Sequence, residues 1–282
     1  MSFGNLHLAD LECADDTILL FKDIEKLTAA LSVYDRESRK LGLKVSWART
    51  KLMHAGDGPD SSSLNIHGNA VEFADSFVYL GSTVTNNGDL KPEIERRRAL
   101  SSNVMQALRK SLRRQQSISR TTKIRIYNAA VLSVLLYGVE TWLRTATLSS
   151  RLDGLDSRAL RSIIGIHWRE LVSNETVRAL SGQPSSLAAR RRVRWYGHVL
   201  RLPPHHLSRA IMDFDPGSFG WKRHRGAPGT RSFDVVKRDL DQLGLDPAAI
   251  EPLAQDRDKW RALVNLVGST HNVPTGAVHE TR

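Results

Sequence analysis

An α+β fold follows from three observations on the 282 residues. Short strand-forming runs split by turn residues crowd into the first 88 positions, and helical periodicity takes over from Asp89. The basic charge gathers in the helical part. Residues 1–92 carry 9 basic and 13 acidic side chains, residues 93–238 carry 28 and 10, and residues 239–282 carry 4 and 7. The surplus behind the net +11 therefore lies in the middle of the chain, where a phosphate backbone is the natural partner because its neutralisation releases counterions. A solvated basic face or an anionic membrane surface is the alternative reading. The length suits one large domain or two ordinary ones with a real core, and 40% hydrophobic residues suits a globular chain.

The first element is a hairpin. Asp10-Leu11-Glu12-Cys13 and Thr17-Ile18-Leu19-Leu20-Phe21 flank Ala14-Asp15-Asp16, and Asp tolerates the turn geometry such a corner needs. Two adjacent carboxylates raised on a hairpin tip are oxygen ligands for a hard divalent cation, the hardware of two-metal phosphoryl or nucleotidyl transfer. Ile24, Leu27, Leu31, Tyr34 and Leu41 then recur at helical spacing, with Gly42 as the stop. Leu43 to Trp47 alternates like a returning strand, and residues 56–63 read as a surface loop. Leu64–His67 and Ala70–Phe73 form a hairpin about Gly68-Asn69, followed by a strand from Phe77 to Leu80.

The rest is helical. Asp89 caps a helix reaching Arg114, with Pro92 in its first turn. Ser119 or Thr121 starts a second that runs to about Trp142 and is apolar nearly all round from Tyr127 to Tyr137, as a buried helix should be. Two short helices with a break at Gly165 fill residues 146–180. Arg190, Arg191, Arg192 and Arg194 come within five positions and run into Trp195-Tyr196, which suits a helix that grips phosphates with stacking planes at its end; a core aromatic pair with solvated arginines is the competing reading. Residues 213–231 read as loop, and 235–243 and 255–267 as terminal helices, with Trp260 turned inward. His198 reads as a core or hydrogen-bonding residue beside Trp195, and no zinc or Ser-His-Asp pattern is present.

A single cysteine, Cys13, excludes an internal disulfide and a Cys-rich zinc site. The most apolar stretch, Val131 to Val139, is far short of the roughly 20 residues that span a bilayer. No secretory signal is expected before Asp10. Together these point to an intracellular protein without membrane partners, nuclear or cytoplasmic.

The Ala-Asp-Asp hairpin, the helix after it, Leu41-Gly42-Leu43-Lys44-Val45 and Thr50-Lys51-Leu52-Met53 resemble the second half of the palm of reverse transcriptases from non-LTR (LINE-like) retrotransposons. The resemblance continues through Phe77–Ser82, Tyr127–Trp142, Ile163–Trp168 and Arg192–Arg201, and fades only over the last dozen residues. It implies a partial palm over 1–88, a helical thumb over 89–180 and a basic C-terminal region over 181–282. It further implies an RNA-directed DNA polymerase that extends a DNA primer, or nicked target DNA, on an RNA template. Asp15 and Asp16 would be the catalytic carboxylates binding Mg2+. Arg97, Arg98, Arg113, Arg114, Lys123, Arg125, Arg190, Arg191, Arg192, Arg194 and Trp195 would contact the nucleic acid.

The family's third metal-binding carboxylate stands on an upstream palm strand that these residues do not contain, so the Mg2+ site is expected to be weak or incomplete and the chain inactive alone. Cys13 stands where an aromatic residue is usual and reads as a small hydrophobe. Arg49 replaces a lysine that could protonate leaving pyrophosphate, a task arginine serves badly; Lys51 is the possible substitute. Arg225-Gly226-Ala227-Pro228-Gly229 resembles an Arg-Gly-Arg-Pro-Arg segment but has lost two of its cations. A non-catalytic RNA- or DNA-binding remnant of a decayed element is the alternative, and a fragment whose sheet edge lacks partner strands is a third.

Overall fold

The computed structural model describes residues 2–3, 6–55, 63–108, 115, 117–142, 146–183, 187–214, 232–241, 243–245 and 247–267. It has the predicted α+β class and divides into two compact units, Met1–Glu93 with His205–Pro228, and Ile94–Pro204 with Gly229–Arg282.

In the first unit the strands pair with their sequence neighbours: β1 (Ser2–Phe3) with β2 (Leu6–His7), β3 (Asp10–Cys13) with β4 (Asp16–Leu19), β5 (Ser63–Ile66) with β6 (Asn69–Glu72), and β7 (Ser76–Tyr79) with β8 (Ser82–Thr85). Every pair is antiparallel, so the expected partial sheet is present as two-stranded ribbons. A parallel bridge between Leu52 and Phe73 adds one further link. Between β4 and β5 lies α1 (Ile24–Lys40), capped by the Asp23 side chain and closed by Gly42 at φ +77°. Its Leu31 buries against Leu52, Ile66 and Val71, with Leu19, Leu27, Trp47, Leu64 and Phe73 packed around them.

Three sequence expectations change here. Leu43 to Trp47 is not a strand, because no neighbouring strand offers it a ladder and Leu43 stays exposed. The turn of the β5–β6 hairpin is His67-Gly68, both at positive φ, one residue earlier than expected. Leu80-Gly81 makes a similar turn and returns the chain as β8, a strand the sequence reading missed. The predicted loops at 56–63 and 213–231 lie almost wholly outside the described residues.

Then come the helices. They are α2 (Lys91–Ala107), α3 (Arg120–Ile126), a π-helical turn (Tyr127–Leu132) that carries α3 into α4 (Ser133–Leu135), α5 (Ala146–Ile164), α6 (Asn174–Ser181) and α7 (Leu187–Leu200). They continue as α8 (Leu207–Asp213), which falls in the first unit, α9 (Ser232–Asp241), α10 (Pro247–Gln255) and α11 (Arg257–Leu266). Ser119, Ser173 and Asp256 cap α3, α6 and α11 by accepting backbone N–H bonds, each satisfying an orphan donor of the first turn. The α3–α4 run ends at Gly138, φ +71°, short of Trp142. The sequence reading did not include α8 or α10; Pro252 inside α10 hides it from a pattern search.

In the second unit α5 packs on α3 and α6, while α7 packs on the turn at Val139–Thr141 and on α9, α10 and α11. Tyr127, Val131, Leu135, Leu160, Val193, Val235 and Val264 are fully or almost fully buried. Each such side chain contributes about 1.5–3 kcal/mol on removal from water.

Candidate functional site

The carboxylate corner is built by register. Cys13 stands opposite Asp16, which leaves Ala14-Asp15 as a two-residue turn with Ala14 at φ +54°. Asp15 and Asp16 are both exposed. Behind them, Thr17 Oγ1 lies 3.1 Å from Tyr34 Oη, tying β4 to α1. The Tyr79 phenol is held above its ordinary value by partial burial and then by the Cys13 and Asp16 charges. Cys13 itself is a free, exposed thiol.

Does the corner fit magnesium? Among the described residues, no group of three or more His, Cys, Asp or Glu side chains is placed to hold a metal ion. Mg2+ demands near-octahedral oxygen coordination, and a two-ion clamp needs oxygens on separate elements. Two carboxylates on one turn meet neither demand. Lys51, the substitute proton donor, is paired with Glu72 at 2.6 Å, and that pairing holds the Glu72 carboxyl below its usual range.

The predicted cations scatter. Arg97 is buried, its guanidinium 4.3 Å from the Tyr137 ring centroid. Arg98 pairs with Glu95 at 2.6 Å, and Glu95 also takes Arg151 at 2.6 Å. Lys123 is half-buried and Arg125 exposed on α3, while Arg113 and Arg114 lie outside the described residues.

The arginine run on α7 is not one grip. Successive helical residues turn by about 100°, so neighbours in sequence face different ways. Arg190 donates from Nε to the Val267 carbonyl (2.6 Å) and from Nη2 to that of Asn265, satisfying the last carbonyls of α11. Arg191 donates to the Leu136 carbonyl at 3.0 Å. Arg192 is buried against Asp239 at 2.7 Å. A phosphate cannot reach Arg192 or Arg97 without unfolding their surroundings, and both expectations are corrected on that ground. Trp195 is half-buried, and Tyr196 is buried with its ring 5.9 Å from that of Phe233.

Arg194 is exposed, and it has company that sequence reasoning missed. His198 and Arg201 follow it one and two turns along, and Arg257 and Arg261 stand one turn apart on α11, all lining one groove of about 440 Å³. His198 is exposed there, not packed in the core. The spacings 194/198/201 and 257/261 were legible as helix faces; that the faces meet was not.

No protein-family profile matches the chain, and no solved structure does. An uncharacterized transposon-derived protein of Caenorhabditis elegans is 25% identical over 282 aligned residues, covering 94% of this chain and 98% of that one. The likeness supports a transposon-related origin. Among the described residues no helix is long and apolar enough to cross a membrane.

Proposed function

We propose that the chain is the C-terminal part of a non-LTR retrotransposon reverse transcriptase, which holds template and primer but does not polymerise alone. The observation that carries this reading is the corner itself: Asp15 in a two-residue hairpin turn and Asp16 next to it at the start of β4, both exposed and backed by α1. That layout is of little use to a purely structural hairpin, which would hold a strained alanine and two repelling charges for nothing. The near full-length likeness to a transposon-derived protein supports the same ancestry. In an intact enzyme Asp15 and Asp16 would hold Mg2+ with a third carboxylate from another strand; among the described residues no third acidic group joins the pair. The exposed cations Arg125 and Arg194 would contact phosphates of RNA and DNA.

Primer extension on an RNA template with magnesium tests the reading directly. No extension is expected from the chain or from its Asp15→Asn variant, while both bind template–primer in a salt-dependent manner. Extension by the wild type that vanishes in the variant overturns the claim of inactivity. Absence of any nucleic-acid binding at low salt overturns the reading as a whole.

A further inference from the structure

The groove between α7 and α11 collects like charges, most of which no described residue neutralises. Arg194 and Arg257 have no ion-pair or hydrogen-bond partner among the described residues, and both are exposed. Arg201 is anchored by one bond, from Nη1 to the Ala254 carbonyl at 2.7 Å, while its buried Nε has no partner. Burial and then the charge of Arg257 hold the Arg201 guanidinium below its ordinary value, which brings the two cations within electrostatic reach. Arg261 alone is balanced locally, by Asp258 at 2.6 Å. Arg257 also opens α11, where the helix dipole disfavours a cation. Stability gains nothing from this arrangement, whereas Arg190, Arg191 and Arg192 on the same helix are each spent on carbonyls or a carboxylate.

We infer that this groove binds the phosphodiester backbone of a nucleic acid, through Arg194, Arg201 and Arg257 with His198 beside them. Guanidinium forks match phosphate oxygens bidentately. The volume, about 440 Å³, admits more than a bare phosphate and lies at the small end of ligand sites. The floor explains what is recognised. Trp260 is buried, donates its Nε1–H to the Val193 carbonyl at 3.1 Å and lies hard against Gly197, so its ring is not free to receive a stacked base. Contact is therefore with phosphates, independent of sequence and strongly dependent on salt. The inference rests on the nucleic-acid reading above, but it assigns the contact to a groove remote in sequence from the carboxylate corner.

The test is fluorescence anisotropy on the full chain with a labelled single-stranded RNA, an RNA–DNA hybrid of the same length and a mononucleotide. Arg194→Gln with Arg257→Gln is the informative variant, because both side chains are exposed; Arg201 is avoided since it also holds α10. Lys26→Gln on α1 is the charge control. The double variant should lose at least tenfold in affinity for either polynucleotide, lower the salt slope by roughly one to two units, and unfold no sooner than wild type. Lys26→Gln should change little. The single strand or the hybrid binding more tightly identifies the source of the phosphates, and the mononucleotide should bind far more weakly than both. Wild-type binding that survives the double change overturns the groove while leaving the reverse-transcriptase reading intact. No polynucleotide binding at all overturns both. Groove-dependent binding of polyglutamate with none of the oligonucleotides would make this a protein-docking surface and overturn the inference.

Discussion

The two units solve the same burial problem with different success. The first relies on strands of two to four residues in separate ribbons, and a two-stranded ribbon covers one face at best. Val33, Leu41, Leu43, Val78, Leu80 and Val84 remain exposed in it, and its buried apolar cluster is Leu31, Leu52, Ile66 and Val71. The second relies on helices that close on one another, and it pairs buried charges from one helix to the next: Arg192 with Asp239, and Asp156 with Arg178, the Tyr127 hydroxyl donating to the same carboxylate. Helices satisfy their own backbones, so each needs only a neighbour for its apolar stripe. Ribbons need further strands as well. The first unit is therefore expected to exchange its amides first, and the second to set the stability floor.

The largest effect should come from Asp239→Ala. Arg192 and Asp239 are 4% and 1% exposed at the side chain, so the substitution strands a guanidinium in the interior. A loss of about 3–5 kcal/mol is expected, and replacing both partners by apolar residues of similar size should recover most of it. Denaturant unfolding read by amide exchange in α7 and α9 checks this. A loss below about 1 kcal/mol would mean water reaches the pair and the contrast between the units is overdrawn.

Next is Tyr127→Phe. The phenol donates to Asp156 Oδ1 at 2.6 Å, while Arg178 holds the other carboxylate oxygen at 2.7 Å. Removing a bond to a charged acceptor should cost about 1.5–3 kcal/mol. Burial first and the Asp156 charge second push the phenol well above its ordinary value. Its folded state thus keeps a proton that the unfolded chain releases near pH 10, roughly. That contribution is complete below this pH and is lost as pH rises further, because the unfolded state then binds fewer protons than the native one. Stability should fall more steeply on the alkaline side in the wild type than in the variant. Equal alkaline slopes would remove Tyr127 from the account.

What was legible in the sequence follows the same division. Helices announce themselves through caps and periodicity, which is why Gly42, Ser119 and Gly165 marked real ends. Strands depend on partners elsewhere in the chain. Leu43 to Trp47 has the alternation but no ladder, and β8 has the ladder only because Leu80-Gly81 turns the chain back. The carboxylate corner was readable because both groups sit on one local turn. The cationic groove was not, since it joins Arg194 to Arg257 across residues whose pattern is silent about which helices touch. A run of arginines drew attention to positions 190–192, where three guanidiniums turned out to be fastening α7 to its neighbours.

Gly197→Ala sharpens the picture of the second unit's packing. A Cβ there would lie 1.9 Å from Trp260 Nε1, and that indole is buried and bonded to Val193, with little room to retreat. Alanine gains up to about 1 kcal/mol in helix propensity. Overpacking should outweigh it, for a net loss of about 1–3 kcal/mol and an altered Trp260 fluorescence. An unchanged midpoint would show that α11 slides easily over α7.

Ala14→Gly should have the smallest effect and the opposite sign. At φ +54° an alanine Cβ crowds the following carbonyl, at a cost of roughly 1 kcal/mol or more, and glycine removes that crowding. Glycine also enlarges the unfolded ensemble, which offsets about 0.4–1 kcal/mol. The balance should leave the first unit more stable by a few tenths of a kcal/mol, up to about 1. Slower amide exchange across β3 and β4, with no change in α5 or α7, is the signature, since the strain is confined to one ribbon. Destabilisation instead would mean that the corner is not left-handed at Ala14. The register that sets Asp16 opposite Cys13, and lifts both carboxylates onto one tip, would then have to be redrawn.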